Sequence, residues 1–252
     1  MRGPETEDDE TRLVAEAAAG GPSKRDYVRA VFEKIAPSYD LLNRLLSFGI
    51  DRAWRRRAIA ALAWERDPTG SYLDLCAGTM DVAATLVRSD GFSGRVVALD
   101  FAESMLRAGR GKMPEGTTQA VVADALWLPL RDSSISGAVV AFGARNVADL
   151  DAAFREVHRV LKPGARFVLL EFTTPRSAIV RTLYHAYFRR VLPAIGGAIS
   201  GHRTAYRYLP ESVARFPAAE ELAARMRAVG FASVSWSSLT FGIAAIHAGQ
   251  RR

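Results

Sequence analysis

Hydrophobic and polar positions change rhythm twice along this chain. From Lys24 to Trp64 the apolar residues recur at helical spacing: Val28, Val31, Phe32 and Ile35 make one stripe, and Leu41, Leu42, Leu45 and Leu46 a second. Pro37 falls between the stripes, and its missing amide and fixed φ predict a break there. After Asp67-Pro68 short β-rich runs alternate with helical ones. "YLDLC", "RVVALD", "AVVAD", "GAVVAFG" and "ARFVLLEF" predict strands, and "DVAATLVRS", "SMLRAGRGK" and "LDAAFREVHRVL" predict helices between them. Such alternation builds parallel βαβ units in a sheet with helices on both faces. The last two runs, "ASVSWSSLT" and "GIAAIHAGQ", meet at Phe241-Gly242 with no helix between them, which predicts an antiparallel C-terminal hairpin at the sheet edge. The expectation is an α/β domain on a mostly parallel seven-stranded sheet.

Composition divides the chain further. Residues 1–23 combine acids, small residues and a Gly-Gly-Pro break, and read as a mobile tail whose removal should spare activity. Residues 24–66 read as a helical cap. Residues 67–252 form the main domain, with an insertion at about 174–215 where such folds elaborate a substrate pocket. A chain of 252 residues, 49% of them hydrophobic, buries one core of ordinary size. The net charge of +7 hides five acids among the first ten residues, so the remainder is more basic still. A basic body is compatible with nucleic acid, an anionic membrane or an anionic ligand.

Cys76 is the single cysteine, which excludes an internal disulfide and argues against a thiolate metal site; no metal is expected. The N-terminus carries acids where a secretory signal would carry cations, and no run reaches the ~18 apolar residues of a membrane span. A cytoplasmic protein is expected.

Open α/β sheets bind ligands at the carboxyl ends of their strands. The first strand should end near Asp74, placing the turn "CAGTMD" at that crevice. A dinucleotide needs G-x-G-x-x-G against its pyrophosphate, and this turn has only Gly78. A ligand without phosphate, held by its amino-acid and ribose parts, needs only one close backbone approach and some polar anchors. S-adenosylmethionine is such a ligand. Asp100 ends the second strand, twenty-two residues after Gly78, where a carboxylate can accept both ribose hydroxyls; Asp124 ends the third, near where adenine would lie. Each acid is alternatively a helix N-cap.

The runs "VRAVFEKIAPSYDLLNRLLSFGIDRAWRR", "LDLCAGTMD", "ALDFAESML", "AFGARNVADLDAAFREVHRVLKPGARFVLLEF", "AYRYLPESVARFP" and "AAIHAG" resemble, in order, the ubiquinone/menaquinone C-methyltransferase family over about residues 24–250. The resemblance implies a Rossmann-like class I methyltransferase fold and transfer of a methyl group from S-adenosylmethionine to a ring carbon of a polyprenylated quinol. The substrate would be demethylmenaquinol, a benzoquinol precursor of ubiquinone, or both. It also implies a cofactor site from Asp74, Gly78, Thr79, Asp81, Asp100, Asp124, Ala125 and Ala141. Relatives commonly carry glycine where this chain has Met80, and a side chain there argues against a left-handed backbone. Ala141 stands where some relatives have serine.

Methyl transfer from a sulfonium needs mainly alignment and exclusion of water. The quinol must also lose a proton, so some group takes it or stabilises the oxyanion. Arg145 in "FGARN" is the expected oxyanion donor, with a structural ion pair as the alternative. Tyr39, from the cap, would contact substrate or cofactor, or be core. His202 is the histidine best placed for a base, whereas His158 and His247 read as structural. Residues 179–201 mix aromatics, aliphatics and cations with no acid, which suits an isoprenoid groove, a peripheral contact with anionic membrane, or a packed lid. Nothing reads as a nucleic-acid module. A monomer and a homodimer both stay open. So do two other functions: methylation of another small aromatic or lipid, and a non-catalytic binding protein of the same fold.

Overall fold

The computed structural model describes Val14 and residues 22–47, 49–187, 191 and 203–252. The chain enters through three helices, α1 (Pro22–Ile35), α2 (Tyr39–Leu46) and α3 (Ile50–Leu62). A single 3₁₀ turn, Ala36–Ser38, separates α1 from α2 at Pro37. The alternating part follows: β1 (Ser71–Leu75), α4 (Asp81–Val87), β2 (Arg95–Asp100), α5 (Glu103–Gly109), β3 (Thr118–Val122), β4 (Ile135–Ala141), α6 (Leu150–Val160) and β5 (Leu161–Phe172). Helices α7 (Ala178–Ala186) and α8 (Arg203–Ala214) occupy the expected insertion. The chain closes with α9 (Ala219–Val229), β6 (Phe231–Leu239) and β7 (Ala244–Arg251).

The seven strands lie in the order β3-β2-β1-β4-β5-β7-β6. The first five pair in parallel, and β7 runs antiparallel between β5 and β6. Alternation along the strands sorts the core into two layers. Leu73, Leu75, Leu99, Val140, Phe167 and Leu169 pack under α6 and α9. Tyr72, Val96, Val139, Val168 and Leu170 pack under α3, α4 and α5. Buried on both faces, the central strands read as near-continuous apolar runs. Helix α6 shows how sequence becomes element: Asp149 caps it by accepting from the Ala152 amide at 2.9 Å, and Ala153, Phe154, Val157 and Val160 form its buried stripe.

Two expectations change. The cap begins at Pro22, and Val14, within the supposed tail, is buried against Val28 and Tyr208. The rest of residues 1–21 lies outside the described residues. Met80 does adopt the left-handed conformation, at φ 62° and ψ 29°. Its side chain is buried between Val82, Leu106 and the sheet. Burying a methionine is worth about 1.5–3 kcal/mol, enough to offset the ~1–2 kcal/mol of a left-handed residue.

Candidate active site

The crossing from β2-β1 to β1-β4 is where the order of strands reverses, and the turns after β1, β2 and β4 open there into a half-open cavity. Asp74, on β1, accepts from the Ala83 amide of α4 at 2.9 Å, drawing the helix N-terminus toward the strand. Its burial pushes its pKa up to about 7, against the pull of that amide. Asp100, at the end of β2, accepts from the amides of Gly78 (2.8 Å) and Ala102 (2.9 Å), one on each carboxylate oxygen. Each oxygen keeps a further lone pair. Burial raises the Asp100 pKa, and the two amides oppose the rise.

Gly78 is favoured by its backbone. Its φ is +52°, in the left-handed region, while a Cβ there would make only ordinary contacts with Met105 at 3.4 Å and Tyr39 at 3.9 Å. Thr79 donates to Asp40 of α2 at 2.5 Å, and Lys112 bridges Asp40 (2.5 Å) and Asp81 (2.7 Å). Arg55 of α3 pairs with Asp51 and lies 3.5 Å from Asp81. These contacts fasten the helical cap to the turn. Arg25 of α1 reaches across to Asp124 at 3.0 Å. Phe32 and Tyr39 of the cap, with Phe101 and Met105, make the apolar wall.

The cavity thus gathers Tyr39, Asp74, Gly78, Thr79, Asp81, Asp100, Asp124, Ala125 and Ala141, from five separate stretches of chain. Four carboxylates and two guanidinium groups, those of Arg25 and Arg55, line it, so acids outnumber cations here in a protein of net charge +7, with Asp124 and Asp81 shared with the two arginines.

Arg145 departs from expectation. It follows β4, but its guanidinium is buried behind the cavity wall, 2.8 Å from Glu171 of β5, also donating to the Phe142 carbonyl and lying over the Phe172 ring. The structure therefore corrects its placement: a buried carboxylate near the end of β5 pairs with the cation and turns it away from the crevice. Burial works against its charge, yet Glu171 holds its pKa above the ordinary value. His202 lies outside the described residues. His158 packs edge-on against Phe231, and His247, buried, bonds the Ala219 carbonyl, so both are structural. Among the described residues no cluster of His, Cys, Asp and Glu could hold a metal.

A profile of the ubiE/COQ5 methyltransferase family matches residues 21–251. The chain belongs to that family. It is 51% identical over 224 residues to the demethylmenaquinone methyltransferase of Thermus thermophilus, covering 88% of this chain and all of that one. It is 44% identical over 232 residues to the ubiquinone/menaquinone biosynthesis C-methyltransferase UbiE of Geobacter sulfurreducens, covering 90% of each. Among solved structures, a methyltransferase from Thermotoga maritima described as dependent on S-adenosylmethionine superposes with TM-score 0.64 at 19% identity, over 88% of this chain and 99% of that one. The [4+2]-cyclase SpnF superposes equally well, at 0.64 and 15% identity over 89% and 94%. The fold alone therefore does not decide the chemistry, whereas family membership makes the chain an S-adenosylmethionine-dependent methyltransferase.

Sequence reasoning missed Glu171, Lys24 and Lys112. Glu171 had a signal, a lone acid in the apolar run "FVLLEF". Lys24 had none, because a lysine in a first helical turn reads as solvated.

Proposed function

We propose that the chain transfers a methyl group from S-adenosylmethionine to a ring carbon of a polyprenylated quinol, with demethylmenaquinol as the first substrate to try and a benzoquinol precursor of ubiquinone as the second. The acidic cavity carries this reading, together with the names of the relatives. S-adenosylmethionine supplies a methyl group already activated on a positively charged sulfur. An excess of carboxylates over the two arginines in a confined space suits a ligand with a sulfonium, an ammonium and a ribose diol. Asp100 keeps two lone-pair sites for the diol, and Asp124 with Ala125 flanks the expected adenine end. Asp74, Gly78, Thr79 and Asp81 surround the amino-acid end, with Ala141 beside them. Tyr39, over Gly78, excludes water from the face where the ring would enter. Arg145, paired with Glu171, positions the loop that holds Asn146.

The insertion supports a substrate with an isoprenoid tail and a peripheral contact with anionic membrane. Ile179 and Leu183 lie one turn apart on α7 and are 77% and 67% exposed, and Phe241 of the hairpin tip is 83% exposed. No acid occurs between Glu171 and Glu211. Among the described residues no helix is long and apolar enough to cross a membrane.

The test is product analysis with methyl-labelled donor, offering demethylmenaquinol and the benzoquinol precursor in detergent. Label on a ring carbon of either quinol supports the reading. Tight donor binding with neither quinol labelled would sink it.

A further inference from the structure

The run Arg52–Arg57 places four arginines on α3, and three of them are exposed. Arg55 alone turns inward, at 8% exposure, onto the wall of the cavity. Its guanidinium is held by an acid and a ring. Nη1 donates to Oδ2 of Asp51, one turn earlier on the helix, and Ser47 Oγ fixes that carboxylate by donating to its other oxygen at 2.6 Å. The Phe142 ring centroid lies 5.9 Å from the guanidinium carbon. Phe142 itself takes φ 61°, a left-handed backbone that a bulky residue rarely adopts. A second acid, Asp81 at the start of α4, comes within 3.5 Å of Nη1. An arginine brings five N–H donors, and Nη1 makes both of these acidic contacts. Nε and Nη2 have no hydrogen-bond partner among the described residues, and both stay accessible on a side chain that lines the cavity.

We propose that Arg55 holds the α-carboxylate of the methyl donor. The inference rests on the reading that the amino-acid end of S-adenosylmethionine lies beside Asp74, Gly78, Thr79 and Asp81. That end is a zwitterion, and a cation and an anion 3.5 Å apart are its complement. The guanidinium takes the carboxylate through its open nitrogens, and Asp81 takes the ammonium. Other cations near the site are engaged elsewhere. Arg25, which also lines the cavity, reaches Asp124 at the adenine end. Lys112 is bound by Asp40 at 2.5 Å and by Asp81 at 2.7 Å. A carboxylate brought among the acids of this cavity without a cation beside it is repelled. Arg55 removes that repulsion at the end where it arises.

Such a contact makes the site selective among donors. S-adenosylmethionine and its decarboxylated form share the adenosine, the sulfonium and the ammonium, and differ only in the carboxylate. 5′-Methylthioadenosine lacks the amino-acid end altogether and reports on the rest of the site. Arg55 touches a part of the donor that does not react, so its contribution belongs to donor affinity and not to the methyl-transfer step.

The experiment is titration calorimetry of wild type, Arg55→Gln and Arg55→Lys with S-adenosylmethionine, decarboxylated S-adenosylmethionine and 5′-methylthioadenosine. Wild type should bind the decarboxylated donor on the order of 10- to 100-fold more weakly than S-adenosylmethionine. Arg55→Gln should lose most of that preference by weakening S-adenosylmethionine. It should bind the decarboxylated donor at least as tightly as wild type does, because a positive charge near the ammonium is gone, and its affinity for 5′-methylthioadenosine should stay unchanged. Arg55→Lys keeps the charge but loses the planar fork, and should show an intermediate preference. Equal affinity of wild type for the two donors overturns the inference without any variant. So does an Arg55→Gln protein that keeps the full wild-type preference, or one that weakens both donors alike. If Arg55→Gln fails to bind 5′-methylthioadenosine, its site has collapsed and Arg55→Lys decides: a reduced preference supports the inference and an undiminished one overturns it. Wild type that binds none of the three overturns the donor-site reading and this inference together.

Discussion

At Met80 two residue-scale energies oppose each other. The left-handed backbone costs ~1–2 kcal/mol, and truncating a buried methionine costs about 2–5 kcal/mol. Packing wins, so Met80→Gly, though it frees the backbone, should lower stability by ~1–3 kcal/mol in urea denaturation. The reverse ordering would mean that the turn, and not the core, sets the energy of this residue. Arg145 obeys a similar balance. Arg145→Ala leaves Glu171 buried and uncompensated, a loss of about 3–5 kcal/mol, while Arg145→Met with Glu171→Gln should recover a large part of it. Thermal melts of the two singles and the double measure the coupling. Asp100→Ala should weaken donor binding and also cost stability, since the buried amides of Gly78 and Ala102 lose their acceptor at about 1–3 kcal/mol each.

At the scale of elements, the cap is held by both charge and packing. The Asp40–Lys112 and Arg25–Asp124 pairs are partly exposed, and such pairs contribute about 0–1 kcal/mol. The larger share comes from Phe32, Ala36, Ala102 and Met105 in one cluster and from Val14, Val28 and Tyr208 in another. Asp40→Ala should therefore change stability by less than about 1 kcal/mol. It also releases Thr79 and Lys112, so donor dissociation in stopped-flow should be several-fold faster. Deleting residues 1–20 removes Val14 from beneath α1 and α8. In place of the neutral outcome expected for a tail, the truncated chain should melt at lower temperature.

For the whole molecule, buried groups shape stability against pH with opposite signs, and Asp74 and Lys24 show the two directions. Asp74 keeps its proton in the folded chain up to about pH 7, whereas an unfolded carboxyl releases it near 3.8. The folded state binds more protons across that window, so stability falls as pH rises through it. Lys24 releases its proton near pH 8 when folded and near 10.5 when unfolded, so stability rises with pH between those values. A minimum between pH 7 and 8 is the expected result. Denaturation at pH 5, 7.5 and 10 should show it, with Asp74→Asn flattening the acid limb and Lys24→Met the alkaline one. Asp67 and Glu156, whose hydrogen bonds hold their pKa values low, act only as pH falls below the ordinary carboxylate range.

The periodicities determined the α/β class, the antiparallel hairpin and the break at Pro37, because burial on one face or two imposes its pattern on consecutive residues. They also placed Asp74, Gly78, Asp100 and Asp124 at the ends of strands, since in a parallel sheet those ends all open on one edge. The tertiary structure alone decided what each polar side chain meets there. Glu171 takes Arg145 away from the crevice although the two lie twenty-six residues apart, and the fold of α1 onto the turn after β4 turns Lys24 from a surface cation into a buried amine. The left-handed Met80 belongs with these, because its backbone is allowed by contacts from α5 and the sheet that no local rule contains. Local sequence carries the pattern of burial, while pairing and desolvation depend on residues brought together only when the chain has folded.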